Sequence, residues 1–157
     1  MRRSALMDYL IRNAMDTDAP AISQTIISAL RQSNAQDYSS EIIDQVAQNF
    51  SPLAIIQLLA QRQILVAIVD NHIVATASLD QDVVRSVFVD PSYQGKGLGR
   101  HLMESIQSIA INAGLNLLRV PSSITAEGFY ASLGFIKVRD EFHKSERTII
   151  MTKTLGL

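Results

Sequence analysis

The segment Gln-Gly-Lys-Gly-Leu-Gly-Arg, from Gln94 to Arg100, has the residue types needed to bind an anion. It lies between a predicted strand and a predicted helix. Backbone N–H groups at a helix start have no partner within the helix, and the helix dipole adds partial positive charge there. Glycines let the backbone approach a bulky group, and Lys96 and Arg100 add charge. The predicted ligand group is a phosphate or a pyrophosphate.

Two better-known phosphate-binding loops do not fit this segment. The glycines are Gly95, Gly97 and Gly99, whereas the dinucleotide-binding fingerprint is G-x-G-x-x-G. A P-loop needs glycine at position 90 and Ser or Thr after Gly-Lys, but these positions hold Asp90 and Gly97. Without further context, a glycine-rich turn that only makes a tight strand-to-helix connection is an equal alternative.

Composition excludes several other classes of function. Lys and Arg total 14 against 15 Asp and Glu, so nucleic-acid binding through bulk charge is not expected. The chain has no Cys, and its His residues (72, 101 and 143) lack metal-ligand spacing, so we expect no metal site. No stretch approaches the roughly 18 apolar residues of a membrane span. Asp8 and Arg12 interrupt the basic start before a signal-peptide core, so a cytoplasmic location is expected.

Hydrophobic periodicity predicts the elements that position the glycine loop. Strands are expected at residues 9–14, 64–69, 73–79, 83–89, 115–120, 135–139 and 148–154. Helices are expected to begin near Asp16–Pro20, Ser39–Glu41, Ser51-Pro52, Leu98 and Thr125. A charged loop is expected between the last two strands. Residues 1–157 are therefore predicted to form one mixed α/β domain.

Two segments of the sequence resemble a known family. Residues 87–100 resemble the acetyl-CoA-binding segment of the GNAT superfamily of N-acetyltransferases, whose signature Q/R-x-x-G-x-G/A is matched by Gln94, Gly97 and Gly99. Residues 129–135, Phe-Tyr-Ala-Ser-Leu-Gly-Phe, resemble a second family segment. The resemblance implies a GNAT-like fold, with a central mixed sheet of about seven strands flanked by helices. Two parallel strands are expected to splay apart and form the cofactor cleft.

The resemblance also implies acetyl-CoA as co-substrate and assigns residues to it. The pantetheine arm would pair with main-chain groups of Val87, Phe88 and Val89 like an added strand. Ser123 lies where family members often have an Asn that contacts this arm, and capping of a local turn is an equal alternative for it. The pyrophosphate would rest on the amides that follow Gln94, which belong to Gly95, Lys96, Gly97, Leu98, Gly99 and Arg100.

The resemblance assigns fewer residues to catalysis than to cofactor binding. Tyr130 matches the family tyrosine that donates a hydrogen bond or a proton to the CoA sulfur, and the alternative is that it only packs against Phe129 and Phe135. Neither strand expected to splay carries a carboxylate, so no general base is identified. Four groups near these strands are interpreted as solvated surface residues, namely Asp80, Asp82, His143 and Glu146. His101 is interpreted in the same way.

The implied function is transfer of an acetyl group from acetyl-CoA to a primary amine, by direct attack in a ternary complex. A non-catalytic acyl-CoA-binding sensor is the alternative, favoured by the missing strand carboxylate. The acceptor is expected to be a small molecule or peptide bounded by residues 30–50 and 139–147. Acidic groups there would suit a cationic amine, and solvated faces are an equal alternative for them. No nucleic-acid or membrane partner is expected, and the resemblance leaves room for a homodimer.

Overall fold

The computed structural model describes residues 8–156 and joins seven strands into one sheet of order β1-β2-β3-β4-β5-β7-β6. The interior strand β2 is an almost continuous apolar run, because both of its faces are covered. All neighbouring strands are antiparallel except β4 and β5, which are parallel. The predicted mixed α/β fold class is confirmed. The strands are β1 (Leu10–Asn13), β2 (Gln63–Val69), β3 (His72–Asp80), β4 (Val83–Val89), β5 (Leu117–Ser122), β6 (Ile136–His143) and β7 (Glu146–Thr154).

Two of the helices begin where a serine side chain accepts a hydrogen bond from a first-turn N–H group. The Ser39 hydroxyl accepts a hydrogen bond from the Ile42 N–H at 3.3 Å, and the Ser51 hydroxyl accepts one from the Ala54 N–H at 3.2 Å. Both starts were predicted from the sequence. The helices are α1 (Ala19–Gln32), α2 (Ser40–Gln48), α3 (Pro52–Leu59), α4 (Leu98–Asn112) and α5 (Glu127–Ser132).

Apolar side chains on the two faces of the sheet form two separate clusters. On one face, α4 buries Leu102, Met103 and Ile106 against the sheet. On the other face, α1 and α3 bury side chains that include Ile22 and Ile55. The sheet is thus the middle of three layers. None of the helices within residues 8–156 has the length and apolar character needed to cross a lipid bilayer.

Three predicted element bounds are wrong. The expected charged loop at 140–147 is mostly strand, because Arg147 pairs with Asp140 across β6 and β7 at 3.1 Å and the charges cover an exposed hairpin. The strand expected at 115–120 begins at Leu117, because the Leu115 N–H instead closes α4 by donating to the Ala110 carbonyl at 3.0 Å. The last helix begins two residues after Thr125. The basic start of the chain, which is predicted to carry no targeting segment, covers residues 1–7 and lies outside the described residues.

Tyr38 joins three segments near the end of β5. Its hydroxyl donates to the Arg147 carbonyl at 2.7 Å and accepts from the Ile124 N–H at 2.8 Å. Tyr38 follows a 3-10 turn at Asn34–Gln36 and precedes α2. The two hydrogen bonds therefore connect the α1–α2 connection to β7 and to the β5–α5 connection.

We expect Tyr38→Phe to lower the free energy of unfolding by about 1–3 kcal/mol, because it leaves two backbone groups without their partner. Tyr130→Phe is the matched control, since the Tyr130 hydroxyl makes no hydrogen bond with residues 8–156. Its unfolding free energy should change by less than about 0.5 kcal/mol. Urea denaturation measures both, and equal losses would contradict the bridging role of Tyr38.

Candidate active site

The parallel strands β4 and β5 pair only at one end. Their register contains a single pair, Val83 with Arg119, and the Arg119 N–H donates to the Asp82 carbonyl at 2.9 Å. The Arg119 guanidinium also binds the Asp82 carboxylate at 2.9 Å, which holds this end together. Beyond it the strands separate, so the edge of β4 that faces β5 has no strand partner. The predicted splay of two parallel strands is confirmed.

A β-bulge changes the direction of β4 at the point where β4 and β5 separate. Ser86 and Val87 together oppose Ala77 of β3, and Ser86 has a φ of 55°, a value uncommon for residues other than glycine. Two hydrogen bonds hold the bulge. The Ser78 hydroxyl donates to the Arg85 carbonyl at 2.7 Å, and Arg62 donates to the Ser86 hydroxyl at 3.2 Å.

A cavity of about 580 Å³ lies between the separated strands, and we call it the cleft cavity. Its walls come from the end of α1, from β4, from the glycine loop, from the segment between β5 and α5, and from α5. Every residue assigned to the cofactor or to catalysis from the sequence lines it except Lys96, which is exposed. Those that line it are Val87, Phe88, Val89, Gln94, Gly95, Gly97, Leu98, Gly99, Arg100, Ser123 and Tyr130.

The glycine loop offers a run of free hydrogen-bond donors. The N–H groups from Gly95 to Arg100 donate to no acceptor within residues 8–156. Gly95 and Gly97 have φ values of 75° and 85°, which L side chains rarely adopt, and Gly97 is the N-cap of α4. At Gly99 the constraint is steric, because an added Cβ would lie 3.2 Å from the Phe129 ring. The loop therefore presents an anion-binding helix N-terminus to the cleft cavity.

Gln94 and Ser123 have local hydrogen bonds that fix the walls of the cleft cavity. The Gln94 amide donates to the Ser33 hydroxyl at 2.9 Å and to the Val89 carbonyl at 3.2 Å, which ties the loop to α1 and β4. The Ser123 hydroxyl accepts from the Ala126 N–H at 3.1 Å, so the capping alternative holds for its oxygen. Its proton stays available to the cavity. The cap predicted at Thr125 is wrong, because Thr125 donates to Asp37 at 2.8 Å instead.

Tyr130 is buried within a ring cluster but lines the cleft cavity. Its ring packs edge-on against Phe129 and Phe135, with ring centroids 5.2 and 5.5 Å apart. Burial raises the pKa of the Tyr130 hydroxyl above its ordinary value, so the group keeps its proton at neutral and moderately alkaline pH. An unengaged phenol proton next to an open cavity is suited to donate a hydrogen bond to a bound group.

Comparisons with known proteins agree with this architecture. A family model described as "Acetyltransferase (GNAT) domain" matches residues 30–155. The chain belongs to the GNAT acetyltransferase family. As a member it is an acyltransferase enzyme.

Individual GNAT relatives resemble the chain over most of its length. An uncharacterized N-acetyltransferase of Escherichia coli strain K12, YafP, is 28% identical over 131 residues, which are 83% of each chain. A GCN5-related N-acetyltransferase from Rhodopseudomonas palustris has a TM-score of 0.90 at 24% identity and covers 99% of both chains. The PaiA N-acetyltransferase from Thermoplasma acidophilum, solved in complex with coenzyme A, has a TM-score of 0.79 at 19% identity, covering 94% of this chain and 99% of that one.

The GNAT cleft adjoins a smaller chamber of about 150 Å³, which we call the Glu146 chamber. Ser86, Phe88, Ser123 and Asn34 line both cavities. Most other walls of the chamber are apolar and come from α1 and α2. Glu146 is half-buried there, makes no ion pair within residues 8–156, and is the one carboxylate lining either cavity. Glu146 is therefore partly withdrawn from solvent and lies nearer the cleft than its interpretation as a solvated surface residue implies.

The remaining polar candidates lie elsewhere. Asp80 pairs with Arg85 at 3.6 Å, Asp82 is held by Arg119, and His143 is exposed on the β6–β7 hairpin. His101 is not a plain surface residue, because it is half-buried and stacks on Tyr9 with ring centroids 5.0 Å apart. Within residues 8–156 no group of three or more His, Asp or Glu side chains could hold a metal ion.

Sequence reasoning missed several residues that line the cleft cavity. Ser86 belongs to a bulge, and nothing in the pattern of β4 marks that position. Phe129 stood in the second family segment and was assigned only to packing, although it also lines the cavity. Ser33 and Asn34 come from the end of α1 and its following turn, and only the tertiary fold brings them to the cleft.

Proposed function

We propose that this GNAT enzyme transfers an acetyl group from acetyl-CoA to the primary amine of an acceptor by direct attack, with both substrates bound. The observation that carries the proposal is the row of free N–H groups from Gly95 to Arg100, in a loop of which every residue except Lys96 lines the cleft cavity. A diphosphate is the part of CoA that such a row recognises. The coenzyme A bound to the related PaiA enzyme supports the same ligand for this chain.

The rest of the cofactor follows from the free edge of β4. Val87, Phe88 and Val89 line the cleft cavity, and β5 does not pair with them. The amide groups of a pantetheine arm would pair there as an added strand does. Ser123 would donate its free hydroxyl proton to the same arm, and the exposed Lys96 and Arg100 would attract the phosphates.

The reaction then needs a base and a group that stabilises the leaving thiolate. The acceptor ammonium loses a proton to Glu146, directly or through water, and the neutral nitrogen attacks the thioester carbon. The N–C bond forms, the attacking nitrogen releases its second proton to solvent water, the C–S bond breaks, and the thiolate accepts a hydrogen bond from Tyr130. Because burial raises the pKa of Tyr130, hydrogen-bond donation is favoured over complete proton transfer to sulfur.

Glu146 bears on the alternative of a non-catalytic acyl-CoA sensor. That alternative was favoured by the absence of a carboxylate on β4 and β5. A half-buried carboxylate in the adjoining Glu146 chamber supplies the missing chemistry from β7, so catalysis is the function we propose. A homodimer, a cytoplasmic location, the absence of nucleic-acid partners and a single domain over residues 1–157 stay predictions.

Gly97→Val should weaken acetyl-CoA binding at least tenfold, since a side chain at positive φ strains the N-cap and turns the loop N–H groups away from the diphosphate. Gly114→Val is the matched control, because Gly114 has a φ of 83°, has open space around it and lies at the far end of α4. Both variants lose about 1–2 kcal/mol of stability from the strained backbone. Calorimetric titration measures affinity, and equal weakening in the two variants would exclude a direct role for the loop.

Tyr130→Phe should lower kcat about 10- to 100-fold, because the leaving thiolate loses a hydrogen-bond donor in the transition state. The KM for acetyl-CoA should stay within about twofold, since the ring packing is kept. Thiol release measures both constants. A rise in KM with unchanged kcat would show that Tyr130 only helps to bind the cofactor.

Glu146→Gln should lower kcat/KM at neutral pH by about 100-fold or more, because the acceptor ammonium loses its base. The loss should shrink as the pH rises toward the pKa of the amine, where more acceptor arrives neutral. Glu141→Gln is the control, since Glu141 is exposed on β6 and pairs with Arg139. A loss that does not vary with pH would remove Glu146 from the base role.

A further inference from the structure

A third cavity of about 610 Å³ lies beside the cleft, and we call it the Arg62 cavity. Its walls come from the turn between α2 and α3, from α3 and from the strands where β4 and β5 separate. Ser86 lines this cavity, the cleft cavity and the Glu146 chamber, so all three meet at the β4 bulge. The residues that line it are Gln48, Asn49, Phe50, Ala54, Gln57, Leu58, Gln61, Arg62, Arg85, Ser86 and Pro121.

The Arg62 cavity is lined by positively charged side chains and by no carboxylate. Arg62 and Arg85 are its ionisable residues. Arg85 has a distant partner in Asp80, at 3.6 Å, whereas Arg62 makes no ion pair within residues 8–156. Side-chain amides that make no hydrogen bond within the same residues complete the polar wall, namely Gln48, Asn49, Gln57 and Gln61.

The Arg62 guanidinium is incompletely satisfied. Its Nη1 donates to the hydroxyls of Ser78 and Ser86, both at 3.2 Å, and its Nε is buried without a partner. Burial, followed by the nearby charge of Arg85, lowers the pKa of Arg62, and the charge of Asp80 offsets only part of this shift. Such a cation is costly unless an anion pairs with it, and the paired planar oxygens of a carboxylate or phosphate match its geometry.

We propose that the Arg62 cavity binds an anionic oxygen group, carboxylate or phosphate, on the acceptor molecule. The inference rests on the proposed function, because it places the acceptor amine at Ser86 beside Glu146 and the anionic group of the same molecule beside Arg62. Arg62 is then a specificity residue. The enzyme prefers amines that also carry a negative group over polyamines and neutral amines, which differs from the cationic acceptor suggested by the acidic residues in the sequence.

The test compares matched acceptors that differ only in the anionic group. Amino acids are paired with their carboxamides, and phosphoethanolamine is paired with ethanolamine, so the two arms separate carboxylate from phosphate. In at least one arm, kcat/KM for the anionic member should exceed that for its partner by about tenfold or more. Equal use of both members in every pair would overturn the inference.

Arg62→Gln should remove this preference by lowering kcat/KM for the anionic member about tenfold or more, and for its neutral partner by less than about twofold. Arg62→Lys, which keeps the charge, should restore part of the preference. Arg139→Gln is the control, since Arg139 is exposed and pairs with Glu141. Thermal unfolding with and without CoA checks that each variant folds. Equal losses for both members in Arg62→Gln would show that Arg62 only supports the bulge.

A binding experiment tests the anion site separately from acetyl transfer. CoA-saturated protein is titrated calorimetrically with the same amino acids and phosphoethanolamine. If these compounds bind the wild-type protein and bind Arg62→Gln at least tenfold more weakly, the anion site stands even when no thiol is released. If none binds and none is acetylated while CoA binds, the inference is overturned and the CoA site is kept.

Discussion

The site depends on the separation of β4 from β5. A sheet normally satisfies the backbone groups of every interior strand, and here two neighbouring strands pair only at Val83 and Arg119. The Arg119–Asp82 ion pair closes one end, and the bulge at Ser86 turns β4 away at the other. The unpaired strand edge can then bind an extended ligand by the same interactions that build the sheet. The backbone hydrogen bonds that these two strands do not make with each other can be made with a ligand instead.

The glycine loop at the start of α4 likewise offers unpaired backbone groups to a ligand. Helix N-termini always leave N–H groups without helical partners, and in this chain the run from Gly95 to Arg100 is left open toward a cavity. Positive φ at Gly97 and the close contact of Gly99 with the Phe129 ring account for glycine at both positions. In the proposed complex, the strand edge and the helix start would recognise different parts of one ligand, and both would do so through the backbone.

Much of the fold and of the cleft could be predicted from the sequence. The rest could not, because it depends on contacts that only the tertiary fold creates. The glycine spacing and the Tyr130 segment are local patterns, so they predicted the cleft residues and their order. Glu146 and Arg62 are single charged residues outside any motif, and only the fold brings them to Ser86. The two strands of the β6–β7 hairpin are predicted, but its charged end at residues 140–147 is predicted as a loop. Sequence polarity alone does not distinguish a solvated loop from strand ends whose charges pair across the hairpin, as Arg147 does with Asp140.

The central claim is that the backbone amides of the glycine loop hold the diphosphate of CoA, and amide NMR during a CoA titration tests it most directly. The resonances from Gly95 to Arg100 should shift the most and become protected from hydrogen exchange, and those of β4 from Val87 to Val89 should follow. Titration with 3′-dephospho-CoA should give the same loop shifts, because the diphosphate is unchanged. Large shifts elsewhere with a silent loop would contradict the claim.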